Sequence, residues 1–585
     1  MRISWIHIKG FRNFDDEIIH FSDKTLIIGA NDVGKTNMIY ALRILFDKSF
    51  SEQDLELTDS DYNAYTNAES IEITVQMSDI NESCLKSEFK DSIKDGQTYI
   101  QYRNSKSGTY SFSIGFSLDL LAEKSRSYIR RLNMEYVDTN RDLFKFLKRE
   151  KSKLLYIAKT QLEEKKSEKD REKIENIQKK LNAINKSVNS LNYIKNSLVS
   201  VNSSLVQLSA HNEDQCVQFV ACNSDVQKML DNLDLSYSSD DNPLSVGGDG
   251  RNNQIFFATW VAKQNNQKSL DHVTFYAIEE PESHLHPHQQ RKLSQYLVNI
   301  FDEQVFITSH SPQIACEFTP ERIVRLFTRK KLSHAANEGC SYKFKKSFDD
   351  FGYRLNAISA ETFFSDGIFL VEGPSEVLFY TALAKEIGID LDYQNISILS
   401  VDGVGFKPYV KICESLEIPF VVRTDNDIFT KTVSKTNYQY YAGISRAIGI
   451  YKETHNDEND SLLDFWNTHK SENEWEKNES IPQEAKDLNT QIRSLLALHN
   501  IYLAGKSLEE DLVHSELQGS LKKYYGTKAE DKLIKMMQTR KAENMLHYLS
   551  TRPKKLKSLE NSDIAQPLIR ISKLAEKAVH PDAID

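Results

Sequence analysis

Several absences narrow what this 585-residue chain can be. Cysteine is sparse: the six residues Cys84, Cys216, Cys222, Cys316, Cys340 and Cys413 are scattered, with no C-x-x-C pair. That distribution argues against a zinc ribbon and a disulfide framework, and it predicts reduced thiols in a cytoplasmic setting. No apolar run reaches about 18 residues, so no helical membrane span is expected. The opening "MRISWIHIKGF" has neither a long apolar core nor a small-residue cleavage site, so no secretory leader is expected. Basic excess is also missing: the formal net charge is -10. A protein that wraps nucleic acid with its whole surface would be basic. Any DNA contact therefore falls to local patches such as Arg130–Arg131, Thr328–Lys331 and Arg552–Lys557, which otherwise read as solvated faces. A hydrophobic content of 39% excludes a disordered chain, and the length calls for more than one domain.

Glycine and proline vanish together between Phe116 and Asn242. Inside that gap Ile174, Ile177, Leu181, Ile184, Val188 and Leu191 step by three and four. After one extra step of three, the pattern resumes at Ile194, Leu198, Val201, Leu205 and Leu208. Heptad-like spacing with a stammer predicts long, partly coiled-coil-like helices, inserted over roughly 120–240. They would form a dimerisation arm or pack on their own chain. Before the gap, "RISWIHIKGF", "DDEIIHF", "TLIIG", "SIEITVQMS" and "TYIQYRN" read as strands. From about Glu361, strands alternate with helices: "GIFLVEG", "PSEVLFYTALAKEIG", "ISILSVDG", "GFKPYVKICESLE", "PFVVRTDND". That order predicts a second, parallel α/β sheet. The expected division is 1–345 for the first domain, interrupted by 120–240, and 346–585 for the second with a C-terminal helical extension.

"GANDVGKT" fits G-x-x-x-x-G-K-[ST] between a strand and a helix. Gly29 and Gly34 let the backbone turn so that N–H groups across Gly29, Ala30, Asn31, Asp32, Val33, Gly34 and on to Asn37 point at phosphate oxygens. Lys35 places a positive charge on the β/γ-phosphates of ATP, and Thr36 offers a hydroxyl to Mg²⁺. Far along the chain, "FYAIEEP" ends a strand in two acids. Glu279 there suits the Mg²⁺ shell and Glu280 the polarisation of an attacking water. One strand later, "TSHS" puts His310 where a γ-phosphate sensor would sit. His284, His286 and His288 in "SHLHPHQQ" form an H-x-H-x-H set that a zinc ion could use on a strand.

In the second half "LVEGPSE" places Glu372 at a strand end and Glu376 one turn into a helix, and "RTDND" places Asp425 and Asp427 at the end of a later strand. Alternation by two puts both Asp side chains on one side of an extended segment. Acids gathered at the carboxyl ends of adjacent parallel strands make a hard-oxygen site for one or two Mg²⁺ or Mn²⁺ ions. Such ions could activate water and stabilise the departing oxygen of a phosphodiester. Asp402 in "SVDGVG" reads as a ligand or as a turn residue.

The spacing of "GANDVGKT", "IEEPE" and "TSHSP" around a helical insertion resembles the ABC-type ATPase head of structural-maintenance and recombination ATPases. "LSVGGDG" resembles the signature loop of that family, although Asp249 stands near the usual Gln. The resemblance implies that Ser245, Gly247 and Gly248 approach the γ-phosphate held by a second copy, and that the histidine-rich stretch crosses the dimer interface instead of binding zinc. The Glu–Gly and Asp-x-Asp pattern resembles the Toprim domain of topoisomerases, primases and nucleases. An ABC head followed by Toprim is similar to the overcoming-lysogenisation-defect (OLD) nuclease family, including its Gabija and retron-associated anti-phage branches. That family implies Glu509 and Asp511 in "SLEEDL" as second-metal ligands and Lys541 as the cation facing the scissile phosphate.

The resemblance further implies a nucleotide-regulated, metal-dependent endonuclease acting on double-stranded DNA. Its assembly would be a homodimer or tetramer, built through the head and the insertion. A helicase subunit would be the partner in a Gabija system, a reverse transcriptase with its RNA–DNA hybrid in a retron. The rival readings are a DNA-clamping ATPase whose Toprim domain does not cut, and a constitutive ATP-driven motor.

Overall fold

The computed structural model describes every residue except 144, 147–154, 156–158, 161, 209–215, 220–225, 232–236, 240–241, 245–247, 341–359, 434–435, 456–459, 478–479 and 580–585. The first strands are β1 (Arg2–Phe11), β2 (Phe14–His20), β3 (Lys24–Ile28), β4 (Ser70–Ser78), β5 (Thr98–Ser105), β6 (Ser111–Gly115), β7 (Ala122–Glu123) and β8 (Leu132–Val137). A short ribbon, β9 (Tyr237–Ser239) and β10 (Asn242–Leu244), precedes β11 (Val273–Glu279), β12 (Val305–Thr308), β13 (Ile323–Arg329) and β14 (Leu332–Ala335). The later strands are β15 (Gly367–Val371), β16 (Ile396–Ser400), β17 (Phe420–Thr424), β18 (Ile428–Val433), β19 (Thr436–Tyr441), β20 (Glu474–Glu476) and β21 (Ile501–Leu503).

Two six-stranded sheets, β2-β1-β4-β5-β6-β7 and β14-β13-β3-β12-β11-β8, build the head. The first is antiparallel; in the second, β13, β3, β12, β11 and β8 run parallel and β14 returns antiparallel. β3 reads KTLII and is buried at every position, as a central parallel strand covered on both faces must be. The following helix, Lys35–Phe46, buries Met38, Ile39, Ala41, Leu42, Ile44, Leu45 and Phe46. Its apolar surface is too broad for one contact face. It shares one core with Ile6, Val75 and Ile100 of the antiparallel sheet and Phe275, Ala277 and Phe306 of the parallel one. The nucleotide-loop sequence is thereby held at the end of a strand and the start of a helix that cannot shift without opening that core.

The Toprim-like half is the expected parallel sheet, β16-β15-β17-β21. An antiparallel β18-β19-β20 sheet, which the sequence pattern does not announce, follows the second Asp. The C-terminal helix Gln566–Val579 completes the core, with Ile571 and Ala575 set against Gly367, where an added Cβ would lie 3.1 Å from Ile571 Cδ1.

Chain contacts define two compact units, one of residues 1–139, 270–282 and 286–585, the other of 140–269 and 283–285. Thus β8 lies inside the stretch read as helical, because lack of glycine and proline is equally compatible with a buried strand. In the second unit a helix spans Glu164–Ser190 and breaks at Leu191, whose φ of -61° and ψ of 130° are extended. Helices Asn192–Ser197 and Val199–Leu208 follow. The extra step in the heptad spacing coincides with that break. Leu181 is buried, whereas Ile174, Ile184, Leu191 and Val201 are exposed.

Within the first unit, the guanidinium of Arg325 on β13 is almost fully buried. It donates to the carbonyls of Ser365 (3.0 Å) and Leu416 (3.2 Å) and lies 3.5 Å from Asp366. Removing one partner of a buried charge network strands the others. Arg325→Ala should therefore destabilise the fold by about 3–5 kcal/mol. Differential scanning fluorimetry should show a large fall in Tm, against a minor one for the exposed Arg329→Ala, worth about 0.5 kcal/mol or less.

Candidate active site

The nucleotide loop leaves β3 at Gly29, whose φ of 152° and close neighbour leave no room for a side chain: a Cβ would lie 2.4 Å from Leu326 O. Gly34, at φ 101°, starts the helix. Ala30, Asn31 and Asp32 form the exposed rim, while Val33 and Gly34 are buried. Lys35 Nζ donates to Gly29 O (3.0 Å) and Ala30 O (2.7 Å), two carbonyls of the loop itself. Burial pushes the Lys35 ammonium down to about 8, with Glu280 and Asp32 acting the other way.

The acids arrive where the sequence places them. The Glu279 carboxylate, at the end of β11, bonds the Thr36 hydroxyl and accepts from Tyr136 Oη (3.2 Å); burial raises its pKa. Glu280 sits at a φ of 42°, in the left-handed region that is strained for a residue with a side chain. His310 Nε2 lies 3.4 Å from Glu280 Oε1, and burial lowers the imidazole pKa. Glu282, which the sequence reading leaves without a role, accepts from Ser309 Oγ (2.7 Å) and the His310 N–H (2.8 Å) and so fixes the segment that carries His310. Arg12 and Asn13 were also overlooked. Asn37 donates to Asn13 (2.8 Å), Arg12 to Asn37 (2.8 Å), and Ser333 Oγ to Val33 O (2.7 Å), bracing the loop from outside.

Ser245 and Gly247 lie outside the described residues. Gly248, exposed, precedes the helix Asp249–Gln267 in the second unit. His286 caps the helix Pro287–Ile300, and His288 Nδ1 lies 2.7 Å from Arg291 Nη2. Among the described residues no group of three or more His, Cys, Asp or Glu side chains is disposed as a ready coordination sphere, at this stretch or elsewhere.

The second cluster forms at the carboxyl ends of β15 and β17 and at the starts of three helices. Glu372 follows β15, and Glu376 lies in the first turn of Pro374–Ile387. Asp425 and Asp427 follow β17. Glu509 and Asp511 open the helix Leu508–Val513, and Lys541 opens Lys541–Thr551. Lys541 Nζ lies 3.5 Å from Glu509 Oε2 and 4.0 Å from Asp425 Oδ2. Burial alone would lower the Lys541 pKa, but Glu509 and Asp425 outweigh it and raise it. Burial raises Glu376, Asp427 and Asp511, and it pushes Asp425 up to about 8, with Glu372 and Glu376 adding repulsion against the opposing pull of Arg423. Asp402 sits at φ 51°, its Oδ1 accepting from Ser400 Oγ (2.8 Å), and the following Gly403 N–H donates to Glu372 O (2.9 Å).

Two arginines escaped the sequence reading. Buried Arg423 lies 3.0 Å from Asp511 Oδ2 and 3.6 Å from Asp425 Oδ1. Arg446 bonds Glu372 Oε1. The only signal for Arg423 is a charge within an apolar strand, "FVVRT"; nothing local marks Arg446.

Although these acids are not disposed as a ready coordination sphere, their donor chemistry suits a divalent cation. Neither Glu509 oxygen and not Asp425 Oδ1 accepts a hydrogen bond, although all three atoms are buried. Lys541 and Arg423 lie 3.5–3.6 Å from two of these oxygens without bonding them, which leaves carboxylate lone pairs open to a cation. Asp511 has less to offer, since Gly505 N–H (3.0 Å) and Arg423 already take its oxygens.

An ATPase head joined to a Toprim fold is the class that this geometry defines. Residues 1–165 and 135–315 match the AAA ATPase domain family, and residues 363–427 match the TOPRIM domain of overcoming lysogenization defect protein-like sequences. The chain thus belongs to the AAA ATPase domain family over more than half its length and is a member of the OLD group of ATPase–Toprim proteins. It is 26% identical to Endonuclease GajA of Bacillus cereus (strain VD045), over 90% of this chain and 91% of that one. It is 28% identical to the OLD nuclease of Thermus scotoductus (strain ATCC 700910 / SA-01), over 26% of this chain and 30% of that one. The C-terminal region of the Xanthomonas campestris pv. campestris OLD protein aligns with 38% of this chain and 99% of its own, at 20% identity and a TM-score of 0.23.

A carboxyl whose pKa is higher folded than unfolded binds its proton more tightly in the folded state. Its destabilising effect is therefore absent near the unfolded value of 3.8 and grows as pH rises toward about 8. In EDTA, Asp425→Asn should raise Tm at pH 8 and show a shrinking advantage down to pH 4–5. Thermal melts across that range check the sign.

Proposed function

We propose that this chain is a divalent-metal-dependent DNA endonuclease of the OLD type, that nucleotide bound in its head regulates cutting, and that it serves as an anti-phage effector. The observation that carries the reading is the convergence of Glu372, Glu376, Asp425, Glu509 and Asp511 with Lys541 at one end of the parallel sheet. A surface that only bound DNA would gain nothing from anions facing phosphates.

Glu372, Asp425 and Asp427 would hold a first Mg²⁺ or Mn²⁺, with Glu376, Glu509 and Asp511 contributing to a second. Such ions, when bound, supply an activated water and stabilise the leaving oxygen. The chain's own part is positional and electrostatic. Lys541, partly exposed at 43% while tied to two buried acids, presents its ammonium to a non-bridging phosphate oxygen. In the head, Lys35 and Thr36 bind ATP and its Mg²⁺, and Glu279, Glu280 and His310 face the γ-phosphate. Ser245, Gly247 and Gly248 would complete that site from a second copy. The exposed apolar residues of the helical insertion, Ile174, Ile184 and Leu191, suit pairing of two chains. Double-stranded DNA is the substrate, and the defence partner is a helicase or a reverse transcriptase with its RNA–DNA hybrid.

With Mn²⁺ or Mg²⁺, the wild-type chain should nick or cut plasmid DNA. Asp425→Ala should abolish cutting, and Lys541→Met should slow it by about 10²–10³-fold. In Lys35→Ala, cutting should persist while its response to ATP disappears. DNA retention without nicks, unchanged in Asp425→Ala, would establish the clamping alternative; cutting that requires ATP and is lost in Lys35→Ala would establish a motor.

A further inference from the structure

One oxygen of Glu372 is saturated. Its Oε1 accepts from the Thr424 hydroxyl (2.5 Å), the Asp425 N–H (2.9 Å) and the Arg446 guanidinium, and Oε2 carries none of these contacts. The same Arg446 Nη1 also reaches Thr424 Oγ1 (2.5 Å) and Asp425 O (3.2 Å), so the guanidinium is tied to the strand end as well as to the carboxylate. Arg446 and Glu372 are both largely buried, at 12% and 17% exposure.

The helix that delivers Arg446 is docked closely. Ala442 N–H donates to Asp427 O (2.8 Å). At Gly443 a Cβ would lie 2.4 Å from Asp425 O and 2.6 Å from Asn426 Cα. Glycine is needed here for close approach, since its φ is not among the positive ones. One turn on, Arg446 meets Glu372.

We infer that Arg446 is a positioning residue: it fixes Glu372 in the single orientation that presents its other oxygen to the metal, and the Gly443 contact sets its reach. The inference rests on the metal reading above. Two effects oppose each other. A guanidinium beside the site repels a cation, whereas a carboxylate held in one rotamer loses no freedom on binding it. A cation that served only to repel would have no need of a glycine docking or of bonds to Thr424 and the backbone. Orientation therefore dominates, as with other partners that hold a metal ligand in place.

The test uses the full chain, with Mn²⁺ binding followed by electron paramagnetic resonance in the absence of DNA and plasmid nicking followed as a function of Mn²⁺. Arg446→Gln should weaken Mn²⁺ binding by about tenfold or more. The half-saturating Mn²⁺ for nicking should move in parallel, with a smaller loss of rate at saturation, and Arg446→Lys should recover part of the affinity. Gly443→Ala, which keeps the arginine but displaces its helix, should weaken binding in the same direction and keeps the question open to test if Arg446→Gln does not fold. Unchanged or tighter Mn²⁺ binding in Arg446→Gln overturns the inference. So does a loss of rate with no change in affinity. A wild-type chain that binds no Mn²⁺ overturns the metal reading itself, and this inference with it.

Discussion

Negative charge withdrawn from water is the constraint around which the second half of the molecule is arranged. Glu372, Glu376, Asp425, Glu509 and Asp511 meet where solvent is scarce; burial raises the cost of ionising Asp425 and Glu376, and Glu372 and Glu376 add to it at Asp425 as Glu509 does at Glu376. The chain offsets part of that cost with three cations of different reach. Arg423 is buried among the acids, Arg446 grips one of them, and Lys541 stands at the opening. What remains is an excess of negative charge that these cations offset only in part, with buried oxygens of Glu509 and Asp425 that accept no hydrogen bond. Stability and function pull apart here, as they do wherever a site keeps charges ready for a ligand.

The head imposes a different constraint, that of close packing. Its loop needs glycine at 29 because the carbonyl of Leu326 on β13 lies where a side chain would go. On that same strand, Arg325 pairs in register with Ile28, the residue before the loop. Its guanidinium bonds the carbonyls of Ser365 and Leu416, which shortly precede β15 and β17, the strands that lead into Glu372 and Asp425. One buried side chain therefore joins the edge of the nucleotide loop to the roots of the strands that carry the acids.

Much of this was readable from local pattern. The nucleotide loop, the acids of "IEEP", the histidine of "TSHS" and the strand–acid–helix order of the second half all follow from short-range chemistry, and the sheets place them as that order implies. Thr36 and Glu279, distant in the chain, do meet. Other features had no local mark. β8 hides in a stretch free of glycine and proline, where composition cannot separate a strand from a helix. Arg446 sits on an ordinary-looking helix and matters only because Gly443 lets that helix approach the turn after β17. Glu282 and Asn13 act by bonding residues far away in sequence.

The sequence by itself determined which groups are available and on what kind of element each stands, because loop conformation, helix starts and strand burial are governed by neighbours a few residues apart. Only the tertiary structure decided which acid is held by an arginine and which is left with unbonded oxygens. Those outcomes depend on distances between segments separated by tens to hundreds of residues. Electrostatic energy and hydrogen bonding change steeply over a few ångströms, a scale on which spacing along the chain carries no information.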